Sequence, residues 1–386
     1  MSEIKVNSIK GVAATTAALS INNTDGTCTA NITNNLSNRN LVINGAFQIA
    51  QRASSSTSNA YATVDRWRGD DNGTDEATTK AQVDVAAGTT PYTLGFRKAF
   101  RLTNGNQTSG AGTTDHATMT HYFEAQNMSN SGWNYISATS YITLSFWVKA
   151  SVAQNYYGYL RTHDGSSYLY PFETGSLTAD TWTKVTKTIP GNSNLTINND
   201  NGVGFSIFLS AYRGTDQTGS ITLNQWGAYD STVRAPDYAT TWWTTNDATF
   251  EITGVQLEVG SVATDYEHLS FAQDLKRCER YFEVISQGDA YIAIAMCYSS
   301  STATGVVQCR TTKRAIPTIY QTSGSSYYRF YRNGSSEDFS SFTGFAGGHV
   351  NGGAFYNNSA LSHTAGHAGG FHGVNANTLV ALQSEL

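Results

Sequence analysis

In YITLSFWVKA, residues 141–150, Ile142, Leu144, Phe146 and Val148 alternate with Tyr141, Thr143, Ser145 and Trp147. A period of two places one set on each face of a pleated strand, so this segment is a strand with one apolar side. VGFSIFLSAY repeats the pattern with Val203, Phe205, Ile207 and Leu209, and FRKAFRLTNG with Phe96, Lys98, Phe100 and Leu102. Strands of this kind need a second sheet to cover their apolar side, which predicts a β-sandwich of the jelly-roll kind over residues 41–268. Gly, Asn, Asp and Ser clusters separate the strands, and five prolines in 386 residues leave room for long ladders.

The pattern changes at Ser270. Gln273 stands three positions on, the spacing of a capping box, and Phe271, Leu275, Cys278 and Phe282 then recur at helical spacing. A short helix therefore opens a C-terminal unit, residues 269–386, whose segments AYIAIAMCY, GVVQCRTT and SYYRFYR read again as strands. Asn333-Gly334 is a type I′ hairpin signal. Residues 1–40 hold short strand-like pieces around an Asp25-Gly26 turn signal and lack the bulk for a core, so they read as a docking arm. The fold class is all-β: a jelly-roll sandwich plus a smaller C-terminal β domain, joined by one short helix.

Composition narrows the function. Charged residues make up 14%, against about a quarter in an average chain, while 22 Tyr, 17 Phe and 7 Trp supply burial. A net charge of −5 without a basic run excludes a general nucleic-acid partner, because phosphate binding needs a basic face. MSEIKVNSIKG has no apolar core, so no signal peptide is expected, and no run is long enough for membrane insertion. This points to a protein kept in the cytoplasm or released by lysis. Cys28, Cys278, Cys297 and Cys309 lack CxxC spacing and read as buried thiols.

LVINGAFQIAQR (41–52) followed by YATVDRWR (61–68), and FEITGVQLEVGSVATDYEH (250–268) followed by LKRCERYFE (275–283), resemble bacteriophage tail-fibre and related virion proteins of the marine phage type. These proteins carry a jelly roll like that of carbohydrate-binding modules. KRAIPTI (313–319) and the opening MSEIKVNSI are also similar to segments of such fibres. The resemblance implies a virion protein assembled in the host cytoplasm, a homotrimer held to phage tail or other virion proteins through residues 1–40, and attachment to a host-surface glycan. It places the stretch 344–373 distally.

Several residues are candidates for a site. Asp65, Arg66 and Trp67 could form a sugar platform, but with Asn44 and Phe47 they match the family's scaffold and are read as structural. The long loop carrying Trp226, Tyr229, Tyr238, Trp242 and Trp243 is read as a glycan-binding or subunit-contact surface. Adjacent Trp242 and Trp243 in an extended segment would place one ring outward. The resemblance also implies a structural calcium, for which Asn44, Glu251 and Glu258 are the nearest ligands, although no dense acidic cluster appears. His363, His367 and His372 lie in a Gly-rich run and read as exposed loop histidines near a tip. No GxSxG, HExxH or P-loop is present, so no enzyme is expected. Tail-fibre attachment is the leading reading. A head fibre, adaptor or decoration protein without receptor binding is the alternative, and a polysaccharide depolymerase with paired carboxylates the minor one.

Overall fold

The computed structural model describes residues 6–9, 12, 19–21, 24, 28–30 and 38–386. Within the arm, Ser8–Ile9, Leu19–Ile21 and Cys28–Ala30 form a three-stranded antiparallel sheet, while Asp25-Gly26 lies outside the described residues.

The predicted sandwich is present as two six-stranded antiparallel sheets. The first runs Gly227–Ala228, Tyr168–Ser176, Asn155–Thr162, Val203–Arg213, His116–Glu124, Trp67–Asn72. The second runs Thr183–Pro190, Tyr141–Ala150, Thr249–Val259, Lys98–Thr103, Thr79–Asp84, Ser55–Ser56. Ile142, Leu144, Phe146 and Val148 meet Phe205, Ile207 and Leu209 in one continuous core, as the alternation requires. Phe96 is an exception, because it precedes its strand. It packs outside the sandwich core with Ala46, Val85 and Ala99, and at 4.9 Å from the Tyr266 ring. The fold is a jelly-roll β-sandwich followed by a smaller all-β unit.

Helix Phe271–Glu279 carries the predicted capping box: the Gln273 amide donates to Ser270 Oγ at 3.3 Å, and the Ser270 amide to Gln273 Oε1 at 3.1 Å. The expected apolar stripe is only partly realised. Cys278 is buried, but Phe271 is 62% exposed and Phe282 already belongs to the next strand, Phe282–Gln287. Beyond it, a three-stranded sheet (Phe282–Gln287, Leu379–Gln383, Thr318–Gln321) faces a seven-stranded one, with Phe330, Phe339, Phe342, Phe355 and Phe371 between them. Asn333 and Gly334 both have positive φ, the type I′ geometry, and close the hairpin of Tyr328–Arg332 with Ser335–Phe339. The stretch read as a loop-rich tip is largely strand: Gly344–His349, Gly352–Asn357 and Ala368–Gly373. His372 therefore sits on a sheet, and His363, His367 and His372 are all part-buried rather than exposed. Among the described residues no helix is long and apolar enough to cross a membrane.

The segments that carry the sequence resemblance meet at the seam between sandwich and C-terminal unit. Asn44, with φ 57°, donates through Nδ2 to the carbonyls of Ile49 (2.8 Å) and Asp65 (2.9 Å) and accepts the Ile49 amide at 3.1 Å. At Gly45 any Cβ would lie 2.1 Å from the Val255 carbonyl oxygen, so the Asn-Gly pair is a steric requirement. Phe47 and Trp67 pack at 5.1 Å in the core. Arg66 is buried, stacks 3.5 Å over the Tyr281 ring and pairs with Glu385. Arg280 holds Glu124 through two bonds of 2.6 and 2.8 Å, and Arg314 donates to the Asn201 carbonyl at 2.8 Å.

A candidate ligand-binding face on the sandwich

The strands of the first sheet also have an outward set. Because Ile207, Leu160 and Met119 point into the core, Ser206, Phe208, Tyr159, Arg161, Thr120 and Tyr122 point away from it. The register aligns them in rows. One row reads Arg68, Thr120, Phe208, Tyr159, Pro171, and its neighbour reads Tyr122, Ser206, Arg161, Leu169. Small hydroxyl residues alternate with large rings and guanidiniums, so Thr120 and Ser206 are covered while Phe208, Tyr122, Arg68 and Arg161 stay part-exposed.

These groups hold one another in place. Tyr159 and Phe208 stack at 4.4 Å with an interplanar angle of 19°, and Tyr122 stands edge-on to Phe208 at 6.0 Å. Arg161 lies 3.6 Å over the Tyr229 ring and donates from Nε to Ser167 Oγ at 3.0 Å. Arg68 Nε donates to both oxygens of Asp70, at 2.9 and 2.6 Å. His163 Nε2 is 2.8 Å from Ser206 Oγ. Burial, with the Arg161 charge beside it, lowers the His163 imidazole to about 4, so it is neutral near pH 7. Burial likewise raises the phenols of Tyr159 and Tyr122, which stay protonated as donors.

Such a face presents ring surfaces beside fixed, planar donors. Its carboxylates are occupied: Asp70 by Arg68, and Glu173 by Asn155 Nδ2 at 2.6 Å. It can hold a ligand that has an apolar face and hydroxyl edges.

Of the loop residues expected to form the site, Tyr229 lies part-exposed on this face. Trp226 is buried against Tyr170 at 5.3 Å, its Nε1 donating to the Pro190 carbonyl. Tyr238 is buried and donates to the Tyr157 carbonyl at 2.9 Å. Trp242 and Trp243 are both fully buried, contrary to the expectation that one faces outward. The reason is that Thr241–Thr244 forms a helical turn, not an extended segment, and successive side chains there diverge by about 100° instead of alternating. Their Nε1 groups donate to Thr249 O (3.1 Å) and Gly110 O (2.9 Å).

The calcium candidates are not gathered. Glu251 faces Lys149 (3.2 Å) and Arg101 (3.7 Å), Glu258 accepts from the Thr264 amide (2.9 Å) and Gln256 (2.8 Å), and Asn44 closes the turn described above. Among the described residues no group of three or more His, Cys, Asp or Glu could hold a metal ion. The residues of the face itself were missed in the sequence, although Phe208, out of phase with Phe205, Ile207 and Leu209, and the run Tyr157, Tyr159, Arg161 at period two carried the signal.

No protein-family model and no curated protein matches the chain. Among solved structures it is similar to the enzymatically active domain of tailspike protein 4 of bacteriophage CBA120, at 13% identity and a TM-score of 0.29 over 57% of this chain and 21% of that one. It is similar to a family 11 carbohydrate-binding module from Clostridium thermocellum, solved with a mixed-linked tetrasaccharide, at 11% identity and a TM-score of 0.24 over 53% and 91%. It is also similar to the N-terminal cellulose-binding domain of a Cellulomonas fimi glucanase, at 10% identity and a TM-score of 0.27 over 56% and 99%. The chain thus spans about a fifth of the tailspike chain. These likenesses concern the fold, and the reading of the site rests on this chain's own residues.

Proposed function

We propose that this chain is a non-enzymatic virion protein, a tail fibre that attaches to host-surface glycans through the outward face of its first sandwich sheet. The observation that carries the reading is the row of part-exposed rings and guanidiniums around Phe208, Tyr122, Arg68 and the Arg161–Tyr229 stack. A pyranose lays its apolar face on a ring while its hydroxyls meet guanidinium, hydroxyl and amide groups, and both kinds of partner are prepaid in position here. The virion setting, the homotrimer and the anchoring role of residues 1–40 are supported by the resemblance of residues 41–68 and 250–283 to phage fibre proteins. Each face binds weakly, and a trimer gains avidity by effective concentration.

The test is binding of the purified full chain to a glycan array and to intact host cells, beside Tyr122→Ala and an Arg161→Ala/Tyr229→Ala double variant. Losing one ring contact costs about 1 kcal/mol, or roughly fivefold per site, and the multivalent signal falls further. Variants that keep the parent's tryptophan emission yet lose binding support the adhesin. A folded parent that binds neither cells nor any glycan overturns it and favours a structural virion component.

A further inference from the structure

The seven-stranded C-terminal sheet has an outward face of its own, and its middle is a trench. Strand Ala368–Gly373 pairs with Tyr328–Arg332 on one side and Ala290–Cys297 on the other, so that Tyr331, Gly370 and Ile294 lie in one row across three strands. Gly370 contributes no side chain between two large ones, and a groove of about 740 Å³ runs over it. That volume suits a small-molecule site, for which about 300–1,000 Å³ is usual.

The two walls differ in chemistry. Along one stand Tyr291, 72% exposed, and Ile294, 87% exposed. Along the other, Tyr331 and the Ser336 paired with it lead to the type I′ turn at Asn333, and these residues form the rim. Arg332, the ionic group among the lining residues, is tied to Glu337 at 2.8 Å. Both tyrosines are set by the ring of His372, one row over: Tyr291 stands perpendicular to it at 4.5 Å and Tyr331 nearly so at 5.7 Å. Arg329 braces Tyr331 from beyond, its guanidinium 5.7 Å from the ring and fixed to Asp338.

We infer that this groove is a second glycan site, taking a neutral pyranose whose apolar face lies on Tyr291 and Ile294 while its hydroxyls meet Asn333 and Ser336. The amphipathic division of the walls selects the ligand class. An ionic ligand would find no unpaired charge there, and a wholly apolar one would leave the hydroxyl rim unsatisfied. The site stands on residues separate from the sandwich face and does not depend on it. An interface with a second copy, which would bury Ile294 and the 70% exposed Val306 on the same sheet face, is the competing use.

The fold supplies a clean perturbation. A Cβ on Gly370 would make only ordinary contacts, 3.6 Å from the Ala293 carbonyl oxygen and 3.7 Å from Tyr291 Cε1, whereas one on Gly369 would lie 2.2 Å from the Tyr331 oxygen. Gly370 is also outside the left-handed region, so Gly370→Leu fills the groove without backbone strain. Saturation-transfer NMR on the full chain, with methyl glycosides of glucose, galactose, mannose and N-acetylglucosamine as probes, reads the outcome. In the Arg161→Ala/Tyr229→Ala background at least one glycoside should still receive transfer, and adding Gly370→Leu or Tyr291→Ala should cut it at least tenfold. Undiminished transfer after Gly370→Leu, or no transfer to any probe in that background, overturns the proposal. A shift of the sedimentation coefficient on Gly370→Leu with saccharide transfer unchanged also overturns it and assigns the groove to contacts between copies. Because the sandwich variants are read separately, the two sites stand or fall independently.

Discussion

Glu385 follows the last strand, Leu379–Gln383, and returns to the start of the sandwich, where Arg66 and Arg52 share its carboxylate, Arg52 Nη2 at 3.1 Å. Both guanidinium side chains are 1% exposed and Glu385 is 11% exposed, so the three charges sit out of water. Replacing Glu385 by Ala leaves two buried cations without their anion. Breaking a buried pair from one side costs about 3–5 kcal/mol. Here the lower end is expected, about 3 kcal/mol, because Arg66 keeps its 2.7 Å bond to the Tyr122 carbonyl and its stack on Tyr281, and Arg52 stays 3.6 Å over Phe282. Urea unfolding followed by tryptophan emission measures this directly, since all seven tryptophans precede residue 268 and report the sandwich. The triple variant Arg52→Met/Arg66→Met/Glu385→Leu removes all three charges and should recover most of the loss, because no uncompensated charge is left. A Glu385→Ala loss below about 0.5 kcal/mol, the range of an ordinary surface change, would refute the idea that this carboxylate clamps the two units. A triple variant no more stable than the single one would refute the electrostatic cause.

Trp243→Ala removes a fully buried ring packed 5.0 Å from Tyr212; it should cost about 3–5 kcal/mol by urea unfolding, and any loss of glycan binding should follow unfolding. Gly45→Ala forces a Cβ against the Val255 oxygen and should lower stability by about 1–3 kcal/mol, seen as a lower thermal midpoint than the parent's. His163 titrates near 4 when folded and near 6.5 when unfolded, so between those values the unfolded chain binds the extra proton and stability drains away as pH falls. The contribution lost between pH 6.5 and 4 is about 3 kcal/mol at most, and His163→Gln should flatten that part of the stability profile; an unchanged acid slope would contradict the assignment. Ser270→Ala deletes the cap of Phe271–Glu279 and should cost about 1 kcal/mol, read as a lower urea midpoint at unchanged slope.

What was legible in the sequence follows from how local each signal is. The alternation in YITLSFWVKA names a strand and its buried side at once, and the Ser270–Gln273 spacing names a helix start, because both are set by neighbours a few positions away. Asn333-Gly334 is legible for the same reason, since two successive positive φ values admit few residues. The sites were not local. An extended segment would turn one of Trp242 and Trp243 outward, and the helical turn Thr241–Thr244 sends both inward instead. The outward face around Phe208 draws on strands between Trp67 and Ser176 and on Val203–Arg213, so its members become neighbours only through the register.

The segments 41–68, 250–283 and 313–319 report something other than a ligand. Asn44, Gly45, Asp65, Arg66, Cys278, Arg280 and Tyr281 are all at the seam, and so is Arg314 of KRAIPTI. Asn44, Gly45 and Arg66 each have a steric or electrostatic reason to be that residue: a left-handed turn at Asn44, a Cβ collision at Gly45, an ion pair at Arg66. Such constraints are indifferent to what the two outward faces carry. Phe208, Tyr122 and Arg161 on the sandwich, and Tyr291, Tyr331 and Gly370 on the C-terminal sheet, can be exchanged without disturbing any of them. Grafting the outward residues of either face onto another chain that shares the seam should therefore transfer its ligand preference without unfolding the recipient. Grafting the seam residues should change stability and leave ligand preference where it was.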